Sequence, residues 1–225
     1  YSQGIKVLND ASLFIEEWKK IGKTIGVTGS NGKSTIVNLI HGSLKATGKE
    51  SILVGNIGKS PLDYLRDYSE NDDRQPIAVM ELSSYQLEIF CEQHYTDIAV
   101  ISNITANHLD RHGGNIQEYA DAKMNIFNEN NTKLVTVTDD EGVQKYILPF
   151  VGKIDLHTIS LKENTPEDKV FSQFLDEKSR TLKGIHNLYN IAITLKVLDL
   201  IGVKFPNTKV SNFIKNYQGL DHRIE

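Results

Sequence analysis

Two glycines, a lysine and three hydroxyls fall in one short stretch, Gly29-Ser30-Asn31-Gly32-Lys33-Ser34-Thr35. Glycines so placed let a backbone curl until its N–H groups point inward at anionic oxygens. A lysine beside them reaches the β- and γ-phosphates of a nucleotide, and a hydroxyl at Ser34 or Thr35 suits Mg²⁺. The apolar run 24–27 precedes the stretch, and Ile36, Val37, Leu39, Ile40 and Leu44 follow at helical spacing. The helix so implied would aim its positive N-terminal end at the same point. Val27, not glycine, stands five residues before Gly32, which departs from the commonest phosphate-loop spacing. A plain glycine turn is the competing reading; the strand before and the helix after favour nucleotide binding.

Other groups could do chemistry at other strand ends. Glu81 closes the run 77–80, a position from which a carboxylate can hold Mg²⁺ shared with phosphates. Glu81 and Glu88 read equally well as ordinary surface carboxylates. A second polar cluster, Asn103-Ile104-Thr105-Ala106-Asn107-His108-Leu109-Asp110-Arg111-His112, follows the run 97–101. There His108 offers a metal ligand, Asp110 a partner for it, and Arg111 a site for an anionic oxygen, against the alternative of a solvated loop. Lys123 lies in a helix-like stretch, where lysines are usually solvated. Asn187 and Asn190 are three apart at the start of another helix, where Asn187 also reads as a cap. Gly55-Asn56-Ile57-Gly58 is a turn or a substrate loop. The single cysteine, Cys91, excludes an intrachain disulfide and reads as a small buried apolar residue.

Positioning these groups requires short strands alternating with helices. Strands are expected at 24–28, 51–54, 77–82, 97–101, 133–137 and 153–159, and helices near 33–47, 59–67, 84–91, 116–129 and 140–147. The runs 77–80 and 98–101 are apolar without alternation, as in strands covered on both faces. The fold class is α/β, a doubly wound and mostly parallel sheet with the phosphate loop after an early strand. Residues 162–183 read as a small excursion of short β pieces at 169–174 and 179–182. A helix over 185–202 stops at Gly202, and a last one covers 207–216. Before the sheet, 4–8 reads as a terminal strand and 12–20 as a short helix.

The bulk numbers are those of an ordinary globular chain: 225 residues, 39% hydrophobic, 24% charged. A net charge of −4 gives no sign of nucleic-acid or anionic-membrane binding. No apolar run approaches the ~20 residues that span a bilayer, and no signal peptide is recognisable. A cytoplasmic setting fits the single cysteine.

Taken in order, Thr28 to Thr35, Gly55 to Gly58, Glu81-Leu82-Ser83-Ser84-Tyr85-Gln86-Leu87-Glu88, Asn107-His108-Leu109-Asp110-Arg111, Ala122-Lys123, Gly184-Ile185-His186-Asn187 with Asn190, and Gly219-Leu220-Asp221-His222-Arg223 resemble the motifs of the Mur ligase family. The resemblance covers nearly the whole chain. It implies that 1–20 is the remnant of an N-terminal UDP-binding domain and linker, and that 21–225 is the central ATP-binding domain, ending at the hinge to a C-terminal domain. The segment around Glu81 resembles the member that adds D-glutamate to UDP-N-acetylmuramoyl-L-alanine through an acyl phosphate, forming ADP. That implies ATP and two Mg²⁺ ions as cofactors, and a cytoplasmic monomer that binds neither nucleic acid nor membrane.

The resemblance also implies roles. Lys33 and the loop residues Gly29, Ser30, Asn31 and Gly32 would hold the ATP phosphates. Ser34 or Thr35 and Glu81 would hold one Mg²⁺, with His108 and a CO₂-carbamylated Lys123 serving a second. Asn56, Ser83 and His108 would contact the muramoyl-alanine substrate; Asn187, Asn190 and Arg223 would approach the nucleotide. Two departures stand out: Asn107 where relatives often carry an acid, and Asp221 where proline is common. Without its partner domains the chain is expected to bind nucleotide weakly and not to ligate at a useful rate. A sister ligase with another amino-acid acceptor, and a silent nucleotide-binding module, are the alternatives.

Overall fold

A strand built from 77–80 or 98–101 is stable only with apolar cover on both sides, and two layers of helices supply it. The structure is a computed structural model and describes residues 7–57, 59–68, 74–106, 115–129, 132–152, 154–162 and 169–219. The strands are β1 (Lys23–Thr28), β2 (Ser51–Gly55), β3 (Ile77–Glu81), β4 (Ile98–Ile101), β5 (Lys133–Val137) and β6 (Asp155–Ile159). They form one six-stranded sheet in the order β2-β3-β1-β4-β5-β6, and every pairing is parallel. The helices are α1 (Asp10–Trp18), α2 (Lys33–Ala46), α3 (Pro61–Leu65), α4 (Ser84–Leu87), α5 (Ile116–Met124), α6 (Glu141–Tyr146), α7 (Lys169–Ser172), α8 (Ile185–Leu200) and α9 (Thr208–Asn216).

Side chains alternate along each strand, so neighbouring residues serve opposite layers. Ile77 and Val79 join the core under α2, α8 and α9. Ala78 and Met80 join the core under α1, α4, α5 and α6. Each fully buried aliphatic side chain contributes about 1.5–3 kcal/mol. Strands are added on one side of β1 as far as β3, after which the chain crosses to β4 on the other side. The C-terminal ends of β1, β3 and β4 therefore surround the point where ligands bind in such sheets.

Helix α1 is docked tightly on the second layer. Asn9 and Ser12 form a capping box at its start, and Asn9 Nδ2 donates to the Gln86 carbonyl at 2.7 Å. Phe14, Ile15 and Trp18 are fully buried. Trp18 stacks on Phe14 with ring centroids 4.9 Å apart, and its Nε1 donates to the Lys23 carbonyl at 3.2 Å. Trp18→Ala is expected to lower the unfolding free energy by about 3–5 kcal/mol. Urea denaturation measures this, and a loss below about 1 kcal/mol would contradict the packing described.

The six strands and the first five sequence-derived helices lie where expected, with ends shifted by a few residues. The β excursion is corrected. Residues 169–172 are helix α7, 177–179 form a 3₁₀ turn, and no strand runs through the described part of 162–183. Phe171 and Phe174 are both buried in the first core. A helical turn followed by a hydrogen-bonded turn brings both inward, where alternation along a strand would have sent them to opposite faces. The carbonyls of Phe174 and Leu182 accept from the buried Arg180 guanidinium rather than from a strand partner. The expected terminal strand falls mostly outside the described residues, and Val7 and Leu8 carry no regular structure. Cys91 is exposed, not buried: α4 ends at Leu87, and the following turn sends Phe90 inward instead.

Candidate active site

β1 ends at Thr28, and two left-handed glycines then turn the chain into α2. Gly29 has φ +147° and Gly32 φ +82°. Space also forbids a side chain at either: an added Cβ would lie 2.1 Å from Ser102 Oγ at Gly29 and 2.7 Å from Asn190 Oδ1 at Gly32. Gly32 caps α2 without a side-chain hydrogen bond, and no acidic residue sits in the first turn. The first amides of α2 and the positive end of its dipole are thus left for an outside anion. Lys33 folds back over the loop, its Nζ donating to the carbonyls of Gly29 at 3.0 Å and Ser30 at 3.1 Å.

Glu81, at the end of β3, is fully buried. Its Oε2 accepts from Ser34 Oγ at 2.6 Å, and its Oε1 accepts from Asn56 Nδ2 at 3.2 Å. Among the described residues no lysine or arginine pairs with it. A buried carboxylate beside a hydroxyl, with no lysine or arginine against it among the described residues, is a donor set that fits Mg²⁺. Three or more acidic, histidine or cysteine groups that could share an ion are not found together among the described residues. Phosphate oxygens and water would therefore complete the shell. Of the two hydroxyls proposed from sequence, Ser34 faces Glu81, whereas Thr35 lines the neighbouring cavity.

Lys123 is 1% exposed, in contrast to the solvated position its helix pattern suggests. Its Nζ donates to the Gly29 carbonyl at 3.1 Å and Thr28 Oγ1 at 3.3 Å. It also lies 4.3 Å from the centre of the Tyr119 ring, one helical turn back. Burial first, and then the positive charge of Lys33, pull its ammonium down to about 7. Both lysines thus donate to the Gly29 carbonyl of the loop, and Lys123 holds its proton less tightly than an ordinary lysine.

A cavity of about 640 Å³ opens beside the loop, within the range of small-molecule sites. Gly32, Thr35 and Asn103 form one wall, and Asn187 and Asn190 another. Asn187 does not cap α8; Gly184 occupies that position. Instead Asn187 Nδ2 donates to the Lys183 carbonyl at 2.8 Å, and its Oδ1 accepts from Asn190 Nδ2 at 3.1 Å. Asp139, after β5, is a wall residue that sequence reasoning missed, although its place at a strand end was the available signal. Burial pushes its carboxyl up, but hydrogen bonds from the Ser160 and Tyr189 hydroxyls and the Leu161 and Lys162 amides outweigh this and hold it below the usual range. Tyr189 is pushed up to about 12 by burial and by Asp139, so it remains a donor. The pair fastens β6 and α8 to the cavity wall.

Asn56 is exposed beside Glu81. Ser83 caps α4, exchanging hydrogen bonds with Gln86. His108, Arg223, Asn107, Asp110, Arg111, Asp221, His222 and Gly58 lie outside the described residues.

An all-parallel doubly wound sheet with a glycine loop, a lysine and a hydroxyl–carboxylate pair at its switch point is the arrangement of α/β proteins of the phosphate-loop class. A family model described as the Mur ligase middle domain matches residues 27–203, and the chain belongs to that family. The UDP-N-acetylmuramoylalanine–D-glutamate ligase of Francisella philomiragia is 32% identical over 221 residues, which is 98% of this chain and 48% of the relative. The ligase of that name from Zymomonas mobilis is 32% identical over 231 residues, covering 99% and 48%. The chain therefore spans about half the length of the curated relatives it matches.

Among solved structures, UDP-N-acetylmuramoyl-L-alanyl-D-glutamate–2,6-diaminopimelate ligase superposes with a TM-score of 0.68 at 22% identity, over 98% of this chain and 54% of that one. MurF ligase from Thermotoga maritima, in complex with ADP, gives 0.64 at 21% identity, over 90% and 51%. Both share the fold. No helix among the described residues is long and apolar enough to cross a membrane.

Proposed function

We propose that the chain is the ATP-binding part of a ligase that adds D-glutamate to UDP-N-acetylmuramoyl-L-alanine, with 21–225 as the central domain and 1–20 trailing from a UDP-binding one. The names of its 32%-identical relatives support the substrate pair. One geometric observation carries the chemistry. The open N-terminus of α2, the buried Ser34–Glu81 pair and the buried Lys123 meet at the C-terminal ends of β1 and β3.

The reaction brings a carboxylate against a triphosphate, so positive charge must offset their repulsion. The substrate carboxylate attacks the γ-phosphorus, the bond to ADP breaks, and an acyl phosphate forms. The amine of D-glutamate then attacks the acyl carbon and loses a proton as phosphate departs. Lys33 leaves its two carbonyls to hold the β- and γ-phosphates, together with the first amides of α2. Ser34 and Glu81 would hold Mg²⁺, which when bound neutralises phosphate charge. Lys123, as a carbamate, and His108 would serve a second ion. Asn187 and Asn190 would meet the nucleotide with Arg223, and Asn56 and Ser83 the muramoyl-alanine substrate. The protein would act as a cytoplasmic monomer in peptidoglycan-precursor synthesis.

Phosphate release by the full-length protein tests this, with ATP, Mg²⁺ and UDP-N-acetylmuramoyl-L-alanine present and amino acids added singly. Release that depends on D-glutamate is expected. Release triggered by another amino acid would reassign the acceptor, and none with any acceptor would overturn the ligase reading.

A further inference from the structure

We propose that Asn103 is a positioning residue that clamps the phosphate loop in its binding shape. This rests on the reading of that loop as the nucleotide site. Asn103 Oδ1 accepts from the Asn31 amide at 2.8 Å, and its Nδ2 donates to the Asn31 carbonyl at 3.0 Å. One side chain therefore satisfies both backbone groups of one loop residue, as a neighbouring strand would. The segment after β4 adds to the grip. The Ser30 amide donates to the Asn103 carbonyl at 3.0 Å, Ser102 Oγ donates to the Asn31 carbonyl at 3.0 Å, and the Thr105 amide donates to Ser30 Oγ at 2.8 Å.

The loop needs such a clamp because of its own composition. Residues 30 and 31 lie between Gly29 and Gly32, both at positive φ. Glycine reaches that region freely but is just as free to leave it. The freedom that permits the turn therefore also loosens it, and a loose cradle must be ordered each time phosphate binds. Asn103 sits two residues beyond β4, a strand hydrogen-bonded to β1 on one side and β5 on the other, so it transmits the rigidity of the sheet to the loop. The chemistry singles out asparagine. An acceptor and a donor must sit side by side on a short stem, which aspartate cannot offer when ionised. The Asn31 and Ser30 amides are turned toward the clamp, which leaves phosphate to the amides at the start of α2.

The test uses the full-length protein and two uncharged variants, Asn103→Ala and Asn103→Leu, the second keeping the branched shape. Hydrogen exchange without nucleotide, ADP affinity by titration calorimetry with Mg²⁺, and melting temperature are measured on each. Expected are faster exchange confined to the peptide covering 29–35, about tenfold weaker ADP binding, and little change in apo melting temperature. Wild-type exchange in that peptide, or wild-type ADP affinity in both variants, would overturn the proposal. A merely structural role would lower the melting temperature and leave the affinity of the folded protein unchanged. If the unsubstituted protein does not bind ADP at all, the nucleotide reading itself fails and the clamp with it.

Discussion

Replacing Lys33 with alanine lowers ATP-dependent phosphate release by the full-length protein by about 10²–10³-fold, the usual cost of removing one charge-stabilising donor. Lys33 Nζ rests on the carbonyls of Gly29 and Ser30. Both of these partners are neutral backbone carbonyls, which a phosphate can outcompete for the ammonium. The change should appear in kcat as well as in the KM for ATP, because charge on the transferring phosphoryl group grows along the reaction. Stability should change little, since the side chain is only half-buried. A second effect follows from geometry. The positive charge of Lys33 is one of the two causes that depress Lys123, so Lys33→Ala lets the Lys123 ammonium rise toward its ordinary range. Steady-state kinetics with ATP varied would check the main effect, and a variant keeping more than about a tenth of the wild-type rate would remove Lys33 from the reaction.

Local pattern explains why parts of this arrangement were legible and others were not. The strands 77–81 and 98–101 declare themselves because parallel strands covered on both faces consist of continuous apolar runs. The phosphate loop declares itself because its glycines and lysine are adjacent in sequence. Ser34 could not be chosen over Thr35 from sequence, because the choice depends on Glu81, 47 residues away, arriving at hydrogen-bond distance. Lys123 misled for the same reason. Its helix ends in a polar surface pattern, and only contact with Gly29 and Thr28, more than 90 residues earlier, shows that its head is buried. The 169–182 segment failed because β-branched and aromatic residues read as strand unless a partner layer is known. Here the layer under α8 accepts Phe171 and Phe174 from turns. Asn103 was visible as one of a polar cluster, but its role as a clamp depends on which loop lies opposite.

Lys123 should make the protein's activity depend on carbon dioxide. CO₂ adds to a neutral amine, forming an N–C bond and releasing a proton, so the reactive species is the unprotonated side chain. With an ammonium pulled down to about 7, roughly half of Lys123 is neutral at pH 7. An ordinary lysine at about 10.4 is neutral to less than one part in 10³. The product is an anion, and Lys33 together with the N-terminal end of α2 lies close enough to favour it. Phosphate release in CO₂-depleted buffer should therefore fall and return with bicarbonate, while Lys123→Ala should lose about 10²-fold or more and not respond. The same burial gives a stability signature that needs no catalysis. Because the folded state holds this proton less tightly than the unfolded chain, the unfolded chain binds more protons between about 7 and 10.4. Stability from this group is therefore complete above about 10.4 and is lost as pH falls through about 7, changing by about 1.4 kcal/mol per pH unit between them. Subtracting the pH profile of Lys123→Met from that of the wild type, both by urea denaturation without CO₂, cancels the other titrating groups. A flat difference between pH 7 and 9 would show that Lys123 is an ordinary solvated ammonium. That result would remove the physical ground for expecting Lys123 to react with CO₂.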